Sequence, residues 1–204
     1  MDRFLRSTAI LDWQSPEVRD RAARLARGRA ESAAVVRACF EWVRDCVPHT
    51  SDHHLDPVTC AASEVLEQGT GFCYAKSHLL GALLRANRIP AGLVYQRLRD
   101  DDGSYCLHGL NAVWLAGLGW YRLDARGSRA GLVSEFTPPR ERLPFICTAD
   151  GEKLFPGVWA DPVTPVVNAL RSYRQRAALI EHLPDAEDLG SPDVEVLDGV
   201  SGLR

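Results

Sequence analysis

The sequence predicts an α+β fold, and three observations carry that expectation. Apolar residues recur at helical spacing from residue 15 to about residue 88. The period then shortens to that of strands between Ala91 and Asp124. The two patterns follow one another instead of alternating, as in folds whose sheet is antiparallel. At 204 residues, 46% of them hydrophobic and 25% charged, the chain is long enough to bury one substantial core. A single domain over residues 1–204 is expected, with its core at about 30–127. Residues 128–204 would supply a wrapping segment, a C-terminal helix and a tail.

Ser15-Pro16-Glu17 opens the first helix, with serine at the N-cap and proline at the first helical position, and Gly28 ends it. A second helix from about Glu31 sets Val35, Val36, Cys39, Phe40 and Val43 at helical spacing, and Pro48 closes it. His49 to Thr59 is polar and turn-rich, hence a surface loop. A short helix over Ala61–Gln68 leads through Gly69-Thr70-Gly71 into a long apolar one, from Cys73 to about Arg88. There Leu79, Leu80, Leu83 and Leu84 recur at one-and-four spacing, and the small Ala75, Gly81, Ala82 and Ala86 permit close approach. A helix this apolar is central and packed on most sides. Asn87 and Pro90 terminate it.

Ala91–Leu98 then reads as a strand and Asp100-Asp101-Asp102-Gly103 as a turn. Tyr105–Leu115 and Gly119–Asp124 are two further strands, joined around Ala116-Gly117-Leu118. The segment Arg126–Gly157 is rich in Gly and Pro and is expected to wrap the surface. A last helix is predicted over Pro165–His182, and the acidic tail after Pro184 frays or lies along the surface.

A formal net charge of −3 offers nothing to a nucleic-acid polyanion. The arginines between Arg19 and Arg29 read as a solvated helix face. The N-terminal stretch Met1-Asp2-Arg3-Phe4-Leu5-Arg6 lacks the apolar core of a signal peptide, and no apolar run approaches the roughly 20 residues that span a bilayer. A cytoplasmic protein without membrane or nucleic-acid partners is the expectation. In that reducing compartment Cys39, Cys46, Cys60, Cys73, Cys106 and Cys147, irregularly spaced, read as buried thiols plus one reactive one. His49, Asp52, His53 and His54 are ligand-type side chains, but they lack the helical spacing or cysteine pairs of a zinc site. They read as a polar loop near the mouth of a cleft, so neither a metal nor a cofactor is expected.

Cys73 stands at the start of the long helix. A helix N-terminus concentrates unpaired N–H groups and the positive end of the macrodipole. Such a position favours a thiolate and can hold the oxyanion formed when a thiolate attacks a carbonyl. That chemistry needs a base beside the sulfur and a third group to orient it, and His108 and Asp124 are the candidates. A hairpin centred on residue 116 sets them directly opposite, with Cβ atoms about 4.5–5.5 Å apart. Nδ1–H of the imidazole would then reach the carboxylate, leaving Nε2 toward the helix. A slip of one residue would separate them onto opposite faces. Lys76, one turn after Cys73, reads as a solvated lysine or one that steers anionic substrates. His78 lies about 140° around the helix from Cys73 and is not a partner.

These residues resemble a known family. Gly71-Phe72-Cys73-Tyr74-Ala75-Lys76, Leu83-Leu84-Arg85-Ala86 and Ile89-Pro90-Ala91 look like the nucleophile helix and following strand of transglutaminase-like proteins. His108 with Asn111-Ala112-Val113-Trp114 is similar to that family's histidine strand. Gly119-Trp120-Tyr121-Arg122-Leu123-Asp124 is similar to its acidic strand. The resemblance covers about residues 30–127. It implies a papain-like core, with the nucleophile Cys73 at the N-terminus of a central helix packed on an antiparallel sheet carrying His108 and Asp124. It also puts Gln68 near the place where papain-like enzymes keep an oxyanion glutamine. Gly109-Leu110 departs from the Ala-Trp often found after the histidine. Leu115-Ala116 lacks the usual acidic residue, and Ala125-Arg126-Gly127 replaces the common Pro-Thr. These departures suggest a bacterial-type branch with its own substrate.

The function implied is a cysteine-dependent acyl-transfer enzyme acting on amide or peptide bonds through a thioester. It would be either a hydrolase or protease, or a transglutaminase-type amidotransferase, with a peptide or amide as its substrate. The alternative is a catalytically inactive transglutaminase-like binding module. Such relatives usually lose a member of the trio, and this chain keeps all three.

Overall fold

A computed structural model describes residues 1–127 and 131–195 of the chain. Proline at the first position starts α1 (Pro16–Ala26), which buries Val18 and Ala22. Ser15 holds the N-cap position without making a side-chain capping bond. The face of α2 (Ser32–Cys46) that the spacing predicts is the buried one: Val35, Val36, Cys39, Phe40 and Val43. Glu64 closes the first turn of α3 (Ala62–Gln68) by accepting the N–H groups of Cys60 and Ala61 at 2.8 and 3.2 Å. Gly69, at φ 67°, ends that helix in the left-handed region open to glycine.

Every residue of α4 (Cys73–Ala86) from Cys73 to Arg85 is buried. Its neighbours α1, α2 and α3 lie on one side, and strands β1 (Ala91–Arg99) and β2 (Tyr105–Leu115) on the other. Leu79, Leu80, Leu83 and Leu84 are wholly shielded, each worth roughly 1.5–3 kcal/mol of transfer from water. Complete burial obliges the polar residues of α4 to find partners. Nδ1 of His78 lies 2.7 Å from the Cys60 carbonyl. Arg85 donates to the carbonyls of Ala91, Arg6 and Ala160. Lys76 donates to the carbonyls of Val47 and Arg44. The solvated lysine expected at 76 is therefore a buried one, because α4 is covered all round.

The hairpin of β2 with β3 (Gly119–Leu123) pairs Asn111 with Leu123 and Leu115 with Gly119. Its loop is the three residues Ala116-Gly117-Leu118, with Gly117 at φ 80° and Gly119 at φ 91°. The centre is thus Gly117, one residue beyond the expected one, which moves every opposed pair by two. His108 and Asp124 are not opposite one another. Extending the register would set Asp124 against Leu110. A shift of two keeps both side chains on one face, where a shift of one would have parted them.

The segment expected only to wrap the surface does more. It forms a small hairpin of β4 (Glu135–Thr137) and β5 (Arg140–Arg142). It then supplies β6 (Lys153–Leu154), which gives a four-stranded antiparallel sheet in the order β3-β2-β1-β6. Phe155 N–H to Tyr95 O, and Leu93 with Trp159 in both directions, continue the cover along β1, so that edge is not left open. Two sheet faces result. Gly109 and Asn111 look toward α4, where Asn111 Nδ2 donates to Ser77 O at 2.9 Å. His108, Leu110 and Ala112 alternate to the outer face, which buries Phe4, Val94, Leu110, Ala112, Val158 and Ala160.

The single helix expected over Pro165–His182 is two, α5 (Thr164–Ser172) and α6 (Arg176–Ile180). Between them Arg174 O accepts Val58 N–H, and Arg176 N–H donates to Asp56 O. The loop at 56–58 takes the backbone groups that a continuous helix would have used internally. The tail runs along the surface. Pro184 O accepts Leu107 N–H, Asp185 pairs with Arg97 at 2.7 Å, and β8 (Val194–Glu195) joins β7 (Gly157–Val158). Residues 128–130 of the wrapping segment and 196–204 of the tail lie outside the described residues. Among the described residues no helix is long and apolar enough to cross a membrane.

Candidate active site

The entry to α4 is stapled by the loop that precedes α3. Thr50 N–H donates to Gly71 O at 3.1 Å, and His49 forms a parallel bridge with Gly71. Thr70 Oγ1 donates to Pro48 O, and Thr59 Oγ1 donates to Thr70 O. Gly71 lets the chain pass closely there: a Cβ would lie 3.1 Å from Ala75 Cβ and 3.3 Å from Thr59 Oγ1. The N-cap is Phe72, which has no acceptor to offer, and no acidic residue stands in the first turn. The first N–H groups of α4 are therefore not spent on a side-chain cap and point outward beside the Cys73 thiol. Cys73 retains 8% of its exposure.

Nε2 of His108 lies 2.6 Å from Oδ2 of Asp124, and Cys73 stands near enough to act on the same ring electrostatically. The histidine is 4% and the aspartate 1% exposed. The ring is thus turned from the expected orientation. Nε2 meets the carboxylate, which leaves Nδ1 for the sulfur. The register explains the turn. Diagonal neighbours stand about 7–8 Å apart instead of 4.5–5.5 Å, so the far ring nitrogen, not the near one, reaches the acid.

Asp124 follows the last paired residue of β3. Its Oδ1 accepts the Arg126 N–H at 2.8 Å, an Asx turn, while Ser134 Oγ donates to its carbonyl. Burial pushes the His108 imidazole down. The Asp124 carboxylate, with its hydrogen bond and Cys73, outweighs burial and raises it to about 10. The ring is therefore held as an imidazolium.

A second layer of charge surrounds this trio. Arg126 grips Asp52 with two hydrogen bonds of 2.8 and 2.9 Å, which ties the 49–54 loop to the chain just after Asp124. Burial, with Arg126 adding to it and Asp52 opposing, lowers His49 to about 3, so it is neutral. Its ring stands edge-on to Phe72 at 5.6 Å. Burial also lowers Lys76 to about 8, against the pull of Asp124. Phe145 covers the site from the wrapping segment, edge-on to His108 at 4.9 Å, with Arg126 over its ring at 5.7 Å.

Of the residues singled out in the sequence, Cys73, His108 and Asp124 are brought together. Gln68 is not: it is exposed on the last turn of α3, where the left-handed Gly69 turns the chain away, so no contact carries an oxyanion role for it. His53 and His54 are exposed. His49 and Thr50 are buried, against the expectation of a loop lying wholly at the surface. Among the described residues no group of three or more His, Cys, Asp and Glu side chains could hold a metal ion.

Sequence reasoning placed Asp52 in a loop near the cleft mouth but missed its pairing with Arg126, and missed Phe145; Arg126 and Phe145 lie 53 and 72 residues from Cys73 in irregular segments where no periodicity signals a partner. It noticed Gly109 only as a departure. A Cβ there would lie 3.1 Å from the Tyr74 ring and 3.2 Å from its Cα, so the close approach of β2 to α4 would be crowded by the alanine often found after the histidine.

The model of the transglutaminase-like superfamily matches residues 19–125, a span that includes Cys73, His108 and Asp124. One similar solved structure is that of a protein from Cytophaga hutchinsonii provisionally assigned as a cysteine protease. It shares 20% identity over 60% of this chain and 40% of that one, with a TM-score of 0.49. Another is the periplasmic domain of TgpA from Pseudomonas aeruginosa, with 21% identity over 60% of this chain and 45% of that one and a TM-score of 0.46. The chain spans less than half the length of either structure. No curated protein matches it.

Proposed function

Because the chain belongs to the transglutaminase-like superfamily, we propose that it is a cysteine-dependent acyl-transfer enzyme acting on amide or peptide bonds through a thioester. The observation that carries this reading is the buried His108 ring bonded to Asp124 at 2.6 Å with Cys73 acting on it from the start of α4. The Cys73 thiolate attacks the carbonyl carbon, and the C–S bond forms as the oxygen takes up charge beside the uncapped first turn of α4. His108 then gives its proton to the leaving amine as the C–N bond breaks. Asp124 keeps the ring oriented and favours its charged form. In the second half water or an amine attacks the thioester, His108 takes the proton of the attacking group, and the thiolate is released. Water needs no second channel to the thioester, so hydrolysis is the outcome expected. A non-catalytic binding module draws no support from a geometry in which His108 and Asp124 are bonded and Cys73 stands beside them.

Acid quenching during incubation with a panel of peptide amides tests the reading. Mass spectrometry of the peptide bearing Cys73 is expected to find the acyl group added there. Absence of an adduct with every amide, or its appearance on another cysteine, would overturn the assignment. The acceptor is read from glutamine peptides incubated with and without a primary amine. Amine incorporation outpacing deamidation would reverse the expectation of hydrolysis.

A further inference from the structure

A hollow of about 550 Å³ opens on the outer face of the sheet beside His108, within the range of about 300–1,000 Å³ typical of ligand sites. Phe145 is its shared wall: the ring that lines the hollow is the one standing edge-on to His108 at 4.9 Å. Leu143, Leu154, Val133 and Ile146 supply the rest of the apolar lining. Val133 is 54% and Ile146 79% exposed, two of the five large hydrophobic side chains left exposed among the described residues. Apolar side chains gathered in the open around a concavity mark a binding surface. The charges at its rim are already paired, Glu141 with Arg122 at 2.8 Å and Arg142 with Glu135 at 3.3 Å. The hollow therefore favours a neutral occupant.

Gln96 provides a second observation. It is the direct partner of His108 across β1 and β2, lines the hollow, and is 2% exposed. Its Nε2 donates to Phe145 O at 3.1 Å and to Cys147 Sγ at 3.5 Å. A carbonyl can only accept, so this bond fixes the amide and leaves Oε1 buried without a partner. A buried acceptor with no donor is costly. It is met when an N–H group reaches it.

We propose that this hollow seats an apolar side chain of the peptide substrate, with Gln96 Oε1 as the acceptor for a substrate N–H. The inference rests on the acyl-transfer reading and adds a preference to it: leucine-like or phenylalanine-like residues beside the attacked carbonyl, with charged ones disfavoured.

The test uses the full chain and peptide chloromethyl ketones, from which the Cys73 thiolate displaces chloride. The probes carry Leu, Phe, Gly or Glu at the two residues ending at the reactive carbonyl. Iodoacetamide, too small to need the hollow, runs in parallel. Leu and Phe probes are expected to modify Cys73 at least about tenfold faster than Gly probes, the scale set by burying one such side chain, and Glu probes slower still. Ile146→Glu and Val133→Glu, both at exposed positions, are expected to abolish that preference while leaving the iodoacetamide rate within about twofold. A flat preference in the unmodified protein, or one the two variants retain, overturns the role of the hollow while Cys73 labelling by iodoacetamide stands. Loss of that labelling selectivity overturns the nucleophile assignment, and the hollow's role with it.

Discussion

His108 and Asp124 meet through Nε2 and Oδ2 at 2.6 Å although the hairpin that carries them does not pair them. The contact is diagonal, and Asp124 reaches it from just past the end of β3, where the Arg126 N–H and the Ser134 hydroxyl fix its backbone and Oδ1. The consequence is electrostatic. A buried imidazole would by itself be neutral; burial is the largest single influence on this one, but Asp124 and Cys73 together outweigh it and raise it to about 10.

Asp124→Asn keeps an oxygen for the Nε2–H group and removes the charge. The alkaline limb of the pH–rate profile for acyl transfer is expected near pH 10 in the unmodified protein and at lower pH in the variant. The rate at pH 8 should fall by roughly 10²–10⁴-fold. An unmoved limb would show that the carboxylate does not sustain the imidazolium.

The same pair makes a prediction about stability. The folded-state value of His108 lies above the ordinary 6.5 of an unfolded histidine, at about 10. Its contribution is therefore complete below pH 6.5 and is lost as pH rises through 10. Urea unfolding of the protein and its His108→Gln variant should show the widest gap near pH 6, narrowing by pH 10. Lys76, lowered to about 8, acts with the opposite sign but is common to both proteins. A gap that widened with pH would contradict the assignment of charge.

Gly109→Val would drive its Cβ against Tyr74 and Ser77, at 3.1 and 3.2 Å. Tyr74 cannot easily yield, because its hydroxyl is bonded to Leu107 O. A cost of about 1–3 kcal/mol is expected from overpacking. The acylation rate of Cys73 should fall more than stability does, since the first turn of α4 and the strand bearing His108 are pushed apart. Equal activity at matched folded fraction would refute that coupling.

Asp52→Ala leaves the buried Arg126, and Arg126→Ala the half-buried Asp52, without its bidentate partner. Each should cost about 2–3 kcal/mol, with the double variant less unstable than the sum of the two. Denaturant midpoints of the four proteins close the cycle. Strict additivity would mean that the pair does not hold the 49–54 loop.

Much of the fold was legible because it is periodic. The buried face of α2, the wholly buried α4, the strand over 105–115 and, to within one residue, the strand from Ala91 follow from spacing and from Gly and Pro at the ends. What was lost depended on tertiary pairing. The break between α5 and α6 exists because the loop at 56–58 claims backbone bonds, and nothing in the 165–182 pattern records that. Lys76 reads as solvated until α4 is known to be enclosed. The loop is the expected Ala116-Gly117-Leu118, but the hairpin is centred on Gly117 and not on residue 116, which altered which imidazole nitrogen meets Asp124 while leaving the face unchanged. Phe145, Gln96 and the Asp52–Arg126 pair come from segments far apart in the chain, and their meeting has no local signature.

Alkylation by iodoacetamide at pH 6 tests the central claim most directly. Burial raises Cys39 and Cys106 to about 12 and Cys60 to about 11, and it pushes Cys147 up as well. Cys46 is the exposed competitor and is removed as Cys46→Ser. Mass spectrometry is expected to find the label on Cys73 ahead of every other cysteine, with that selectivity lost in His108→Gln. Labelling spread evenly over the remaining cysteines, or selectivity that survives the loss of His108, would contradict a thiolate activated by this histidine.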